Sequence, residues 1–133
     1  MWLLKTEPTD YSYDRLEEEG RTRWDGVGNA AALKNLRAMR AGDRALLYHT
    51  GKEKAVVGFV EIVTEAYADP EAKDAKLVVV DIEPRARLGR PVTLAEIKAL
   101  PAFEGSPLVR QGRLSVVPLT ADQWKTIEEW GRA

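Results

Sequence analysis

Arg44-Ala45-Leu46-Leu47-Tyr48-His49-Thr50, then Gly51-Lys52-Glu53-Lys54, then Ala55-Val56-Val57-Gly58-Phe59-Val60-Glu61-Ile62-Val63, is the stretch that decides the fold. Two runs rich in β-branched, aromatic and leucine residues flank four polar residues opened by a glycine, which is the pattern of a β-hairpin. The spacing predicts strands over 44–50 and 55–67. Both faces of the pair are apolar, so both need cover, as in a barrel or a sheet overlaid by helices.

Downstream, a polar link over 69–76 leads to another β-type run, Leu77, Val78, Val79, Val80 and Ile82. Thr93-Leu94-Ala95-Glu96 has the Thr-x-x-Glu pattern of a capping box and opens a short helix that Pro101 ends. Residues 114–118 read as a last short strand. Thr120-Ala121-Asp122-Gln123 repeats the capping device before a final helix with Trp124 and Ile127 on one face. Upstream, residues 2–6 form a strand stopped by Pro8, and Ser12 caps a helix carrying Tyr13 and Leu16 that closes at Gly20. Asn29 caps the clearest helix, with Ala32, Leu33, Leu36 and Met39 at helical spacing. The sum is an α+β fold: a mostly antiparallel β-barrel of about five to six strands decorated by short helices, in one domain over 1–133.

Twenty Lys and Arg against 21 Asp and Glu give a formal net charge of −1, so no global basic field drives adhesion to nucleic acid, and such binding needs a local site. Cysteine is absent, which removes disulfides, thiolate metal sites and thiol catalysis, and His49 is the single histidine. No apolar run reaches the roughly 18 residues of a membrane span, and the cytoplasm is the expected compartment. A charged fraction of 31% fits a thermophilic source. No metal cluster, serine-nucleophile motif or phosphate loop is present, so neither a metal nor a cofactor is expected.

Trp24-Asp25-Gly26-Val27-Gly28-Asn29 is the segment with chemical content. An indole offers a stacking face, glycines let backbone groups approach a ligand, and Asp or Asn can pair with a base edge. The plain alternative is that Trp24 fills the core, Gly26 makes a turn and Asn29 only caps the helix. Trp2 to Pro8, Tyr11-Ser12, Trp24 to Asn29, Leu36 to Met39, Gly42-Asp43, Tyr48-His49-Thr50 and Val56-Val57-Gly58 follow in the order seen in EVE domains. Ala66-Tyr67, Pro91 to Leu94, Leu108 to Val116 and Trp124 continue the match. The chain therefore resembles an EVE domain, related to the PUA and YTH groups.

That resemblance implies a PUA-like barrel and a non-enzymatic reader whose partner is nucleic acid, DNA or RNA, carrying a modified base. The pocket positions it implies are Lys5, Thr6, Glu7, Trp24, Asp25, Gly26, Asn29, Tyr48, His49, Thr50, Arg110 and Gln111. Arg85, Arg87, Arg90 and Arg113 are the candidates for a basic stripe touching phosphates; the alternative is that they are ordinary surface residues. Two departures stand out: Gly28 where the family usually has arginine, and a short 69–76 link where it tends to carry a longer insertion ending in a tryptophan. His49 beside Tyr48 invites a catalytic reading, with Asp25 or Glu7 as orienting partner, but strand alternation turns it to the opposite face from Tyr48 and Thr50 unless a bulge intervenes. Trp2, Trp124 and Trp130 read as packing aromatics. The rival functions are a small hydrolase of a modified nucleoside or its acyl derivative, as in the related ASCH group, and a small-molecule or partner-protein module.

Overall fold

The computed structural model describes residues 1–132. Seven strands carry the fold: β1 (Trp2–Thr6), β2 (Thr22–Trp24), β3 (Arg44–His49), β4 (Ala55–Ile62), β5 (Tyr67–Ala68), β6 (Val78–Thr93) and β7 (Val116–Pro118). Around them lie α1 (Tyr13–Glu19), α2 (Ala30–Ala38), α3 (Leu94–Lys98), α4 (Pro107–Arg110) and α5 (Ala121–Trp130), with a 3-10 turn at Pro101–Phe103. The sheet order is β2-β6-β4-β3-β1-β7, with β5 beside β6. Every pairing is antiparallel except β1 with β3. The α+β, mostly antiparallel expectation holds; the sheet has one more strand than expected and curls into a half-barrel, since its ends β2 and β7 do not pair with each other.

The hairpin forms as its sequence dictates, with Ala45 opposite Val60 and Leu46 opposite Phe59. The run expected over 55–67 breaks after Ile62 and resumes only at Tyr67, while β6 extends eleven residues past Ile82. Proline explains why that extension is hard to read. Pro84 sits at a register shift where Val60 faces it and Phe59 faces Ala86, and Leu88 to Pro91 bulge outward opposite Val57 alone. Proline lacks the ladder N–H and survives inside a strand only at such irregularities.

Helix starts follow local chemistry closely. Ser12 accepts from the Arg15 N–H, Asn29 from Ala32, and Thr93 and Thr120 form full capping boxes with Glu96 and Gln123. The core is continuous: Leu3, Leu4, Leu46, Leu47, Ile62 and Ile82 from the sheet meet Leu16, Leu36 and Ile127 from the helices. Tyr13 lies flat against the sheet because Gly58 has no side chain; a Cβ there would stand 2.5 Å from the ring. Trp124 is buried, with Arg44 stacked 5.0 Å over it, but Trp130 is 41% exposed beneath Arg90. Six residues at roughly 100° each turn Trp130 about 240° from Trp124, away from the buried face. Among the described residues no helix is long and apolar enough to cross a membrane.

Candidate nucleic-acid interface

A cleft of about 570 Å³ opens at the carboxyl end of β1. Its walls are Lys5, Thr6 and Glu7, then Asp10, Tyr11, Arg15 and Glu19, then Thr22 through Val27, with Ser115 at the start of β7. The first 27 residues wrap one side of the cleft, and β7 brings Ser115 to it by pairing with β1, the Lys5 N–H donating to the Ser115 carbonyl at 2.9 Å. Lys5, Thr6, Glu7, Trp24, Asp25 and Gly26 are thus brought together.

Each wall is held by specific bonds. The Lys5 ammonium donates to the Gly112 carbonyl at 3.2 Å and stands 5.7 Å over the Tyr48 ring; partial burial pushes its pKa below that of an ordinary lysine. Thr6 donates its hydroxyl hydrogen to the Tyr11 carbonyl at 2.8 Å. Glu7 accepts from the Thr50 hydroxyl at 3.3 Å and the Thr9 hydroxyl at 3.2 Å. Tyr11, which sequence reasoning did not single out, meets Trp24 edge to face, ring centroids 6.0 Å apart at 83°. Burial, then a 2.6 Å bond to the Glu19 carboxylate, pushes the Tyr11 phenol up to about 12, so it stays a neutral hydroxyl. Because the two rings are nearly perpendicular, a flat ligand parallel to one meets the other edge-on.

Trp24 itself is only 7% exposed and belongs to β2, opposite Val80. Its role in the wall is inseparable from its role in the core. Just beyond it the chain is bare: among the described residues, no hydrogen bond uses the backbone N–H or C=O of Asp25, Gly26, Val27 or Gly28. Val27 is anchored in the core and Gly26 takes a φ of 75°, leaving a short rail of free donors and acceptors, of which residues 25–27 line the cleft.

The remaining sequence candidates lie elsewhere. Asn29 is exposed and spends its side-chain oxygen on the Ala32 N–H at 3.0 Å. Tyr48 is buried under Lys5, and burial raises its phenol pKa. The Thr50 hydroxyl reaches the site only through Glu7. His49, 6% exposed, lines a different groove with Pro8, Ser12 and Glu53. There its Nε2 accepts the Tyr13 N–H at 3.1 Å and its Nδ1 faces Glu53 at 3.1 Å, so one ring nitrogen holds the start of α1 and the other the turn between β3 and β4. The one bulge in this hairpin is at Val57 on β4, where Leu47 faces Gly58 and Tyr48 faces Val56, while β3 keeps unbroken register with β1 through Tyr48 and His49.

The arginines divide into two sets. Arg85 is paired with Glu61 and Glu83, Arg87 with Asp14 and Glu17, and Arg90 with Glu96. Arg110 and Arg113 are exposed, make no ion pair among the described residues, and bracket Gly112, the residue that Lys5 holds. Arg110 ends α4, and exposed Gln111 and Arg113 lie in the loop that leads from it to Ser115 in the cleft wall.

Comparison with known proteins places these features in a lineage. Human thymocyte nuclear protein 1 is 33% identical over 158 aligned positions that take in 92% of this chain and 70% of the human protein. An alignment longer than the 133-residue chain means that the relative carries insertions this chain lacks. A Rhodopseudomonas palustris protein solved by NMR is 43% identical with a TM-score of 0.92, covering 98% of this chain and 91% of that one. The human THYN1 protein, solved in complex with 5-methylcytosine containing DNA, is 31% identical with a TM-score of 0.88, over 99% of this chain and 97% of that one. An ASCH structure from Zymomonas mobilis, 12% identical with a TM-score of 0.61, shares the fold alone. The EVE domain model matches residues 1–130, and on that near-complete match the chain belongs to the EVE domain family.

Proposed function

We propose that this protein is a non-enzymatic reader that takes a modified base of DNA into the cleft beside Trp24, acting in the cytoplasm as a single domain. The observation that carries the reading is the bare backbone rail of residues 25–28 beside the Lys5–Glu7 strand end, in a family whose human member has been solved with 5-methylcytosine containing DNA. A base edge needs donors and acceptors in fixed positions, and unpaired backbone groups on an anchored segment supply them without the entropy cost of ordering side chains. Tyr11 and Trp24 supply the aromatic surface, and the 570 Å³ volume suits one extruded nucleotide. Arg110 and Arg113 at the cleft mouth contact phosphates. Asn29, Tyr48 and Thr50 support the walls rather than touch the base.

The commitment of both His49 nitrogens, outside the cleft, speaks against the hydrolase alternative, since it leaves the cleft without a histidine base. The test is fluorescence anisotropy with short single strands and duplexes, DNA and RNA, carrying one 5-methylcytosine or one cytosine. The methylated DNA strand should bind tighter, and Tyr11→Ala should cost about 1 to 3 kcal/mol, the usual worth of a base–aromatic stack, with little loss of fold stability. Equal affinity for methylated and plain strands would remove the reading.

A further inference from the structure

Resting on the reading of the cleft as a base pocket, we infer that Glu7 is its specificity-determining residue, selecting bases that present an exocyclic amino group over their keto counterparts. The Glu7 carboxylate is seated. The Thr50 hydroxyl donates to Oε2 at 3.3 Å, and the Thr9 hydroxyl donates to Oε1 at 3.2 Å. Below it lies Gly51, at a φ of 74°, where a Cβ would stand 2.5 Å from Oε2. The carboxylate therefore rests directly on bare backbone, braced from two sides, and Glu7, one residue past β1, lines the cleft together with Lys5.

A carboxylate has about four acceptor positions, and the two hydroxyls with the Thr9 N–H at 3.5 Å leave one, on Oε2, for a ligand donor. Lys5, which lines the same cleft and makes no ion pair with Glu7, spends one of three N–H groups on Gly112. A carboxylate acceptor and an ammonium donor lining one cleft suit the Watson–Crick edge of a cytosine, whose amino group donates and whose ring nitrogen accepts. A thymine edge reverses both: its O4 would face a carboxylate, and its ring N–H would face an ammonium. Facing acceptors and facing donors in a partly desolvated cleft leave buried polar groups unpaired, which costs more than the lost bonds alone.

5-Methylcytosine and thymine have the same ring methyl and differ only in this edge, so one pair of strands isolates the effect. Wild-type protein should bind a strand with one 5-methylcytosine at least about tenfold tighter than the same strand with thymine. Glu7→Gln, whose amide offers a donor as readily as an acceptor, should bring that ratio to near one. Gly51→Ala, which leaves the carboxylate chemistry intact but removes its seat, should lower the ratio as well. Thermal melting of both variants checks the fold. An undiminished ratio in Glu7→Gln overturns the inference, as does a wild type that does not distinguish the two strands or binds neither. Equal binding of 5-methylcytosine and cytosine, with thymine still rejected through Glu7, would instead sink the modified-base reading and sustain the role of Glu7.

Discussion

Replacing Arg110 and Arg113 together by alanine should reduce the salt dependence of binding without changing base preference. Each phosphate neutralised on a single strand contributes about 0.7 to the slope of log affinity against log salt, so two lost contacts flatten the slope by about 1.4. Between 50 and 200 mM salt, a fourfold change, the wild type should therefore lose about sevenfold more affinity than the variant. The control is Arg85→Ala with Arg87→Ala. Arg85 lies 3.1 Å from Glu61 and 3.4 Å from Glu83, and Arg87 bonds Asp14 and, at 2.6 Å, Glu17. A phosphate would have to displace two carboxylates from each guanidinium, so this pair should leave the slope within roughly 0.3 of wild type. The assay is anisotropy titration of a methylated single strand at five salt concentrations. If the Arg85 and Arg87 pair flattens the slope and the Arg110 and Arg113 pair does not, the strand runs along β6 and the assignment of the loop before Ser115 is wrong.

Trp24→Ala should destabilise the fold by about 3 to 5 kcal/mol in chemical denaturation, because the ring is a core residue before it is a ligand wall; a loss under 1 kcal/mol would contradict that. His49→Ala should cost about 1 to 3 kcal/mol by stranding the Tyr13 N–H, and leave the ratio of methylated to plain affinity unchanged in the binding assay. Gly28→Arg meets open space at its Cβ, so it should fold normally and steepen the salt slope by about 0.7; no change in slope would mean that position 28 is remote from the backbone track. The Arg90 guanidinium, and then the Thr93 backbone N–H, hold the Glu96 carboxyl down to about 2 from an ordinary 4.5. A depressed folded-state value contributes stability that is full above the unfolded value and fades as pH falls through 4.5 toward 2. Thermal melts over that window should fall less steeply with acid in Glu96→Gln than in wild type.

What could be read from the sequence was what neighbouring residues decide by themselves. Thr93 with Glu96, Thr120 with Gln123 and Asn29 with Ala32 make their caps within four residues, and the hairpin of β3 and β4 turns over a short loop. The missed parts depend on distant partners. β2 is three residues long and exists because β6 runs alongside it, and β6 reads as loop past Ile82 because prolines and charges interrupt it. The site divides in the same way. Trp24 to Gly26 could be picked out from residue types and resemblance, but the sequence could not show that Asn29 is spent on its own helix, or that His49 turns to brace α1. Nor does any local pattern mark Tyr11, which matters only because α1 sets it against Trp24.

The one parallel pairing in the sheet is what makes a cleft possible at this edge. In an antiparallel pair the end of one strand meets the beginning of its neighbour, and a turn often fills the gap. Because β1 and β3 run the same way, with Thr6 opposite His49, both chains leave the sheet together, and Glu7 comes out beside Thr50 and Gly51. β7, antiparallel on the other side, begins where β1 ends and brings in Ser115 and the Arg110 to Arg113 segment. The Lys5 and Glu7 pair thus meets the seat at Thr50 and Gly51 and the cations at Arg110 and Arg113, three segments more than 40 residues apart. The glycine at 51 then has two duties that no other residue could meet at once, a left-handed turn and a flat floor for a carboxylate. A substitution there should strain the turn and unseat the carboxylate together, so the base edge is misread while the melting temperature reports the strain separately.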